Sequence, residues 1–293
     1  MSLDDTPRAG EADMHIHSIA SDGTASAAQI LEHAECHTSL NVIAISDHER
    51  IEAAIECQRL ARERGGRVEV VVGEEVTTRS GHVLGLFLQR RLKRNQRVEI
   101  TVSEIHEQGG LAIVPHPFSA FSLGMRRHAI MRVHLSNDPL VYWDALEGFN
   151  PSTAGRYGRA ATARLAAELG VPLVGNSDGH TLDTIGDGRT HFPGSTAEDY
   201  RQAIRDGTTS GSCVDWGLVR EAVIYSRQVR KQARDVYRWG RRNLLRDGTP
   251  RDLGVPTDQL RLQREGEADD AGRQRARRMA AAAERRGAEE PPA

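Results

Sequence analysis

Short β-branched runs alternate with longer helix-like stretches from about residue 12 to residue 212, and this alternation limits the possible folds more than any other feature. The strand-like runs are Ala12–His17, Leu40–Ser46, Val68–Val76, His82–Leu88, Leu111–Val114, Trp143–Phe149 and Val171–Gly175. The helix-like stretches between them are Ala25–Cys36, Ile51–Arg64, Val102–Gln108 and Arg159–Leu169. Gly65, Gly109 and Gly170 stand where helix C-caps belong, and a strand follows each. Repeated strand–helix units predict a parallel β/α architecture.

The positions of the polar residues distinguish a barrel from an open sheet. Histidines and carboxylates fall at or just after the carboxyl ends of the strand-like runs: His15, His17, Asp47, His48, Glu75, His116, Glu147, Asp178 and His180. Active sites of (β/α) barrels gather residues from many strands at that edge, whereas an open doubly wound sheet uses one crevice. The pattern therefore predicts a closed or distorted barrel.

Two dipeptide patterns, His15-Ile-His17 and Asp178-Gly-His180, are suited to binding metal ions. Side chains two residues apart on a strand point to the same face and can converge on one ion. Imidazole and carboxylate ligands suit zinc, manganese or iron(II). The three cysteines are widely spaced and contain no CxxC motif, which argues against a purely structural zinc site.

Further motifs occur in a fixed order along the chain. They are Asp13-Met-His15-Ile-His17-Ser18, Ser21-Asp22-Gly23, Ser46-Asp47-His48, Gly73-Glu74-Glu75, Gly81-His82, Pro115-His116-Pro117 and Asn176-Ser177-Asp178-Gly179-His180. In this order they resemble the motifs of the PHP (polymerase and histidinol phosphatase) phosphoesterases. The resemblance extends over about Asp13 to Thr209, which is two-thirds of the chain.

The resemblance implies a distorted seven-stranded (β/α)7 barrel that holds two or three divalent metal ions at its carboxyl edge. The ligands that it implies are His15, His17, Asp22, His48, Glu75, His82, His116, Asp178 and His180. Glu75 is preferred to Glu74 because the family pattern is Gly-x-Glu and Gly73 sets the register.

The chemistry implied is hydrolysis of a phosphate ester by a metal-bridged hydroxide, because two neighbouring cations can clamp the attacking and leaving oxygens. The substrate would be a phosphomonoester of a small metabolite, a nucleotide bisphosphate or a short oligonucleotide. Asp47 is either a capping and orienting group or a catalytic proton-transfer group, and Glu147 is a second carboxylate that could orient a ligand histidine. Arg126, Arg127 and Arg156 are candidates for holding the substrate phosphate.

Two alternative functions remain open at this point. A metal-dependent amidohydrolase also begins with His-x-His, but such enzymes commonly bridge their metals with a carboxylated lysine, and neither Lys93 nor Lys231 follows a predicted strand. A nucleic-acid-binding or anion-binding regulatory protein could use the arginine-rich C-terminal part, where 18 basic and 12 acidic residues follow from Trp216 onward. We expect no stable nucleic-acid complex, and the sequence indicates no oligomeric state.

The character of the chain changes after residue 212. Residues 213–246 predict an amphipathic helix with Val219, Val223 and Val229 in an apolar stripe that packs on the barrel. Residues 247–293 are rich in charge, glycine and proline and are predicted to be disordered. The acidic start of the chain is unlike a secretory signal, and no apolar run approaches roughly 20 residues, so a cytoplasmic protein without a membrane span is expected.

Overall fold

The computed structural model describes residues 9–119 and 124–244. Their strands form one sheet: β1 (Ala9–Ile16), β2 (Val42–Ile45), β3 (Glu69–Thr78), β4 (Gly81–Leu86), β5 (Leu111–Val114), β6 (Ala145–Phe149), β7 (Leu173–Gly175), β8 (Gly188–Pro193) and β9 (Ser210–Cys213). The strand order is β7-β6-β5-β4-β3-β2-β1-β8-β9. The predicted disordered segment, 247–293, lies outside the described residues.

The sheet is mixed, and its ends approach each other. The pairs β1–β2, β2–β3, β5–β6 and β6–β7 are parallel, while β4 and β8 run antiparallel to their neighbours. At the open side, the Gly175 amide of β7 donates to Thr190 Oγ1 of β8 at 3.0 Å, and this hydroxyl donates back to the Gly175 carbonyl at 2.9 Å. The sheet is therefore nearly closed, and the prediction of a distorted β/α barrel is confirmed.

The described residues form seven α-helices: α1 (Ala27–His37), α2 (Glu52–Arg64), α3 (Val98–His106), α4 (Arg127–His134), α5 (Thr153–Leu169), α6 (Ala197–Asp206) and α7 (Leu218–Leu244). Local sequence explains several of their ends. Ser26 and Gln29 form a capping box at the start of α1, and Ser152 caps α5. Gly65 and Gly170 end α2 and α5 in the left-handed conformation, as predicted. None of the described helices is both long and apolar enough to cross a membrane.

Four elements are absent from the sequence-based prediction: β8, β9, α4 and α6. The β9 segment, Ser-Gly-Ser-Cys, contains no β-branched residue, so its strand conformation comes from pairing with β8. The helix α6 did carry a signal, because Thr196 and Asp199 form a capping box before Tyr200. Tyr200, Ala203 and Ile204 of α6 are buried against the strands.

The helix α7 packs by a different face from the one predicted. Glu221, Ile224 and Gln228 are buried, at a spacing of three or four residues, while Val219 and Val223 of the predicted apolar stripe are exposed. The Glu221 carboxylate of the buried face binds Thr153, a contact that composition alone does not show. The described residues divide into two units after Gln228, so the first turns of α7 belong to the same unit as the sheet.

Candidate metal centre

The nine ligands implied by the sequence resemblance converge at the carboxyl edge of the sheet. Eight of them form four overlapping triplets whose ligand atoms lie within 4.8 Å of one another: His15–Glu75–His116, His15–His17–Asp178, His17–His48–Glu75 and His17–Asp22–His180. The ninth, His82, places Nδ1 2.8 Å from Glu75 Oε1. Because β4 runs antiparallel to β3, the start of β4 brings His82 to this edge.

Glu75 lies at the centre of the cluster, and five histidines face its carboxylate. Oε2 is 3.3 Å from His15 Nε2, 3.4 Å from His17 Nε2 and 3.3 Å from His48 Nδ1. Oε1 is 3.0 Å from His116 Nε2 as well as close to His82. Burial opposes ionisation of Glu75, but the charges of His82, His48 and His15 outweigh it and hold the pKa well below its usual range. One carboxylate is thus placed to bridge more than one cation.

Asp178 contacts both His15, in β1, and His17, directly after β1. Its Oδ1 is 3.2 Å from His17 Nε2 and 3.5 Å from His15 Nε2. Burial would raise the pKa of Asp178, but the neighbouring histidines, His15 first, hold it well below the usual value. Asp178 has φ +52° and His116 has φ +27°, a region that non-glycine residues rarely adopt. Backbone strain of this kind is often found where a side chain must be aimed at a functional site.

Asp22 and His180 form the outer part of the cluster. His180 Nε2 is 3.1 Å from Asp22 Oδ2, and His48 Nε2 is 3.9 Å from the same oxygen. Burial alone would lower the pKa of His180, but its hydrogen bond with Asp22 and the charges of Asp22 and Asp178 raise it to about 9. The loop after β1 and the loop after β7 together supply these two side chains.

Several buried imidazole nitrogens in the cluster lie near carboxylate oxygens but form no hydrogen bond of normal geometry with the described residues. These atoms are His15 Nε2, both ring nitrogens of His17, His82 Nδ1 and His116 Nδ1. Buried polar atoms are nearly always paired, since desolvation without a partner costs free energy. A cation would satisfy imidazole nitrogens and carboxylate oxygens at once, so the donor set fits divalent metal ions.

Glu147 contacts two of the candidate ligands, His15 and His116. Its Oε2 is 3.3 Å from His15 Nδ1 and accepts the His116 amide at 2.9 Å. When Nδ1 of His15 donates to this carboxylate, Nε2 is left with its lone pair facing Glu75 and Asp178. Glu147 therefore lies where it orients a ligand histidine.

Asp47 binds the loop that carries Asp22. Its Oδ1 accepts the Ser18 amide at 2.7 Å, its Oδ2 accepts the Ser18 hydroxyl at 2.6 Å, and the Ser21 hydroxyl donates to Oδ1. The side chain is buried. These contacts describe an anchoring group, which is one of the two roles that the sequence left open for Asp47.

Asp13 has a supporting role that the sequence analysis did not assign. Its carboxylate accepts the Ser177 amide at 3.0 Å, the Gly186 amide at 2.8 Å and the His15 amide at 3.4 Å. Burial is the largest influence on this carboxyl and raises its pKa to about 6. Through its hydrogen bonds with Ser177 and Gly186, Asp13 connects β1 to the loop that carries Asp178. The available signal was the position of Asp13 two residues before His15 on the same face of the strand.

The three arginines predicted to bind phosphate lie outside the ligand cluster. Arg126 and Arg127 are exposed beside Phe118 and Met131. Both terminal nitrogens of Arg127 donate to the carboxylate of Glu168, at 2.8 and 2.6 Å. Arg156 is exposed and lies 5.6 Å from the centre of the Tyr157 ring. Within the described ranges, no contact joins any of the three to a candidate ligand.

Comparison with known proteins yields matches over parts of the chain. A family model described as PHP-associated matches residues 159–209. An uncharacterised protein of Methanocaldococcus jannaschii is 45% identical over 80 residues, which cover 27% of this chain and 46% of that protein. A 5′-3′ exoribonuclease of Haemophilus influenzae is 36% identical over 78 residues, covering 25% of this chain and 27% of the exoribonuclease. The chain thus spans less than half the length of either relative.

Among solved structures, a two-domain protein of Bacteroides vulgatus that contains a predicted PHP-like metal-dependent phosphoesterase has a similar fold. The TM-score is 0.58, with 16% sequence identity over 70% of this chain and 65% of that protein. At this identity the likeness concerns the fold alone.

Proposed function

We propose, on the premise that this chain belongs to the PHP family, that it hydrolyses phosphate esters at a centre of two or three divalent cations. The observation that carries the proposal is the position of Glu75 among five histidines, beside buried nitrogens that form no hydrogen bond of normal geometry with the described residues. Zinc, manganese and iron(II) suit this mixture of imidazole and carboxylate ligands.

Bound divalent cations would supply an activated water molecule and positive charge for the phosphate oxygens. The protein's own residues determine where these act. Glu147 holds the His15 ring so that Nε2 faces the cluster. Asp47 holds the loop that presents Asp22 to His180. The burial of Glu75 lowers the effective dielectric around its carboxylate and strengthens its attraction for cations.

The substrate class follows from the chemistry of such a centre and from the relatives. A phosphomonoester, a nucleotide bisphosphate and a short oligonucleotide all present non-bridging phosphate oxygens to the cations. The exoribonuclease relative, which matches 25% of this chain, favours the nucleotide side of this range. We therefore include nucleotides and 5′-phosphorylated oligonucleotides among the first substrates to test.

Metal analysis combined with an activity panel tests the proposal. Protein supplied separately with manganese, zinc or iron(II) should carry two or three equivalents of metal and hydrolyse at least one class of phosphoester. His17→Ala and Asp178→Ala should lose metal and turnover. His37→Ala is the matched control, because His37 is an exposed histidine on α1, and it should retain both.

One outcome of the same experiment would contradict the proposed function. Full metal occupancy with no hydrolysis of any phosphoester would contradict the proposal. It would favour the regulatory, anion-binding function that the basic C-terminal part suggests.

A further inference from the structure

The beginning of α7 is attached to loops at the same edge of the sheet as the candidate ligands. The Trp216 amide donates to the Pro151 carbonyl at 2.8 Å, and the Trp216 indole donates to Asp187 Oδ2 at 2.8 Å. The Glu221 carboxylate accepts the Thr153 amide at 3.3 Å and also the Thr153 hydroxyl. Pro151 and Thr153 follow β6, while Asp187 follows β7. The first turns of α7 therefore lie beside the loop that carries Asp178 and His180.

Two arginines fix the same turns to that loop. Arg220 Nη2 donates to the Asp183 carbonyl at 2.7 Å and lies 2.7 Å from Asp187 Oδ2. Arg227 Nη1 lies 3.0 Å from Asp183 Oδ1. Asp183 is only three residues beyond His180, so the helix is held alongside the outer part of the metal cluster over about two turns.

Tyr225 lies between these two arginines along α7. Burial, with the negative charges of Glu221 and Asp178, raises the pKa of Tyr225 to about 12. Its hydroxyl forms a hydrogen bond with Glu221, whose carboxylate is in turn bound to Thr153. The residue nevertheless remains 48% exposed.

We propose that the Tyr225 ring is a stacking surface for a nucleobase at the entrance to the metal centre, so that the enzyme prefers nucleoside phosphates to aliphatic phosphates. This inference rests on the proposed function and adds the substrate class to it. Bases of every type present a flat face to an aromatic side chain, so such a surface selects for a base without reading its sequence. The Glu221–Thr153 contacts hold the ring in place, which reduces the entropy lost when a base binds.

The test uses the full-length, metal-loaded protein and two substrates. Adenosine 3′,5′-bisphosphate carries a base, and glycerol 2-phosphate does not. Tyr225→Ala should raise KM for the nucleotide by about 5- to 150-fold, the range expected for one lost base stack, with kcat and metal content unchanged. The kcat/KM for glycerol 2-phosphate should remain at the wild-type value. Tyr225→Phe retains the ring and should keep most of the nucleotide preference.

Val219→Ala is the control on the same helix. Because Val219 is 81% exposed, this substitution should leave kcat/KM unchanged for both substrates. An equal effect of Tyr225→Ala on both substrates, or no effect on the nucleotide, would overturn the inference. A wild-type enzyme that hydrolyses glycerol 2-phosphate but not the nucleotide would also overturn it.

A binding measurement separates this inference from the proposed hydrolysis. Calorimetric titration of the metal-loaded protein with adenosine monophosphate reports affinity without requiring turnover. Binding that Tyr225→Ala weakens, in a protein that hydrolyses nothing, would support the stacking surface and contradict the phosphoesterase. If the protein hydrolyses phosphate esters but Tyr225→Ala leaves its affinity for adenosine monophosphate unchanged, the phosphoesterase proposal is supported and the stacking surface is contradicted.

Discussion

Two adjacent glutamates on β3, Glu74 and Glu75, differ in their contacts and in their pKa values because they face opposite sides of the strand. Side chains alternate between the faces of a strand, so Glu74 and Glu75 point in opposite directions. Glu75 faces the histidines, whereas Glu74 Oε2 accepts the Leu92 amide at 2.9 Å and its Oε1 lies 3.9 Å from Arg91. Burial raises the pKa of Glu74 to about 7, while the histidines hold that of Glu75 well below its usual range. The register inferred from Gly73 agrees with this arrangement.

We expect Glu75→Gln and Glu74→Gln to differ sharply in metal content. Glutamine in place of Glu75 removes the charge that five histidines surround, so more than one equivalent of metal should be lost, with turnover reduced by at least about 100-fold, in the range for lost metal or electrostatic stabilisation. Glu74→Gln should retain its metal, because it keeps the acceptor for Leu92 and lies on the other face. Elemental analysis of the two purified variants measures this. Similar metal loss in both would contradict the assignment of Glu75 as the bridging ligand.

The same control variant carries a prediction about pH and stability. The folded-state pKa of Glu74 is raised from 4.5 to about 7, so the fold favours the protonated carboxyl and the wild-type protein loses stability as pH rises from 4.5 through 7. Glu74→Gln does not ionise. At pH 8.5 the free energy of unfolding, measured by urea denaturation, should therefore be about 1 to 3 kcal/mol higher for Glu74→Gln than for wild type. The difference should shrink at pH 5.5. A difference independent of pH would show that ionisation of Glu74 is not the cause.

At the scale of elements, the loop after β1 is held both by its own Gly23 and by Asp47, which follows the neighbouring strand β2. Asp47 follows β2 and binds Ser18 and Ser21 of that loop. Gly23 allows the loop to turn back closely, since a Cβ there would lie 2.1 Å from the His17 carbonyl oxygen. The position of Asp22 beside His180 therefore depends on two groups that are not themselves candidate ligands.

Asp47→Ala should release this loop and lower metal occupancy selectively. The expected result is loss of about one equivalent of metal, from the Asp22–His180 end of the cluster, with the ions nearer Glu75 retained. Elemental analysis, together with kcat measured at saturating metal, provides the readout. Full metal occupancy with a large fall in kcat would instead favour the proton-transfer role that the sequence also allowed.

At the scale of the whole molecule, the metal centre joins parts of the chain that are far apart in sequence. β1, β3, β4 and the loops after β2, β5 and β7 each contribute a candidate ligand. A ligand that binds only the folded protein stabilises it, by about 2.7 kcal/mol at a concentration 100 times Kd. Bound cations should consequently stabilise the entire sheet and not one loop alone.

Metal binding should also depend on pH in a defined direction. Without metal, the neighbouring carboxylates raise the pKa of His15 well above its usual value, and that of His180 to about 9, so these rings hold protons at neutral pH. A cation must displace those protons, and its apparent affinity should rise with pH up to about 9. Competition titrations with a metal indicator at pH 6, 7 and 8, and calorimetry in buffers of different ionisation enthalpy, should show this rise and proton release. An affinity independent of pH would contradict the protonated metal-free cluster.

Local sequence patterns predicted those elements whose stability is local. The strand Leu111–Val114 has the same bounds in prediction and structure, because its four residues are all apolar and all buried. Gly65 and Gly170 end their helices as expected, since glycine adopts positive φ without a Cβ clash. The elements that were missed, such as β9, owe their conformation to a neighbouring strand that the local sequence does not reveal.

The sequence by itself predicted the first seven strands and the chemical type of the ligands, because these depend on periodicity and residue type, while the choice of Glu75 came from the resemblance to the PHP motifs. Only the tertiary structure decided that β4 and β8 run against the other strands, which brings His82 to the cluster. It also decided that α7 packs by Glu221 and Ile224, with its first turns bound to Thr153, which follows β6, and to Asp183, which follows β7. Strand direction and helix orientation depend on contacts between residues distant along the chain, and the free energy of those contacts is not contained in any local segment.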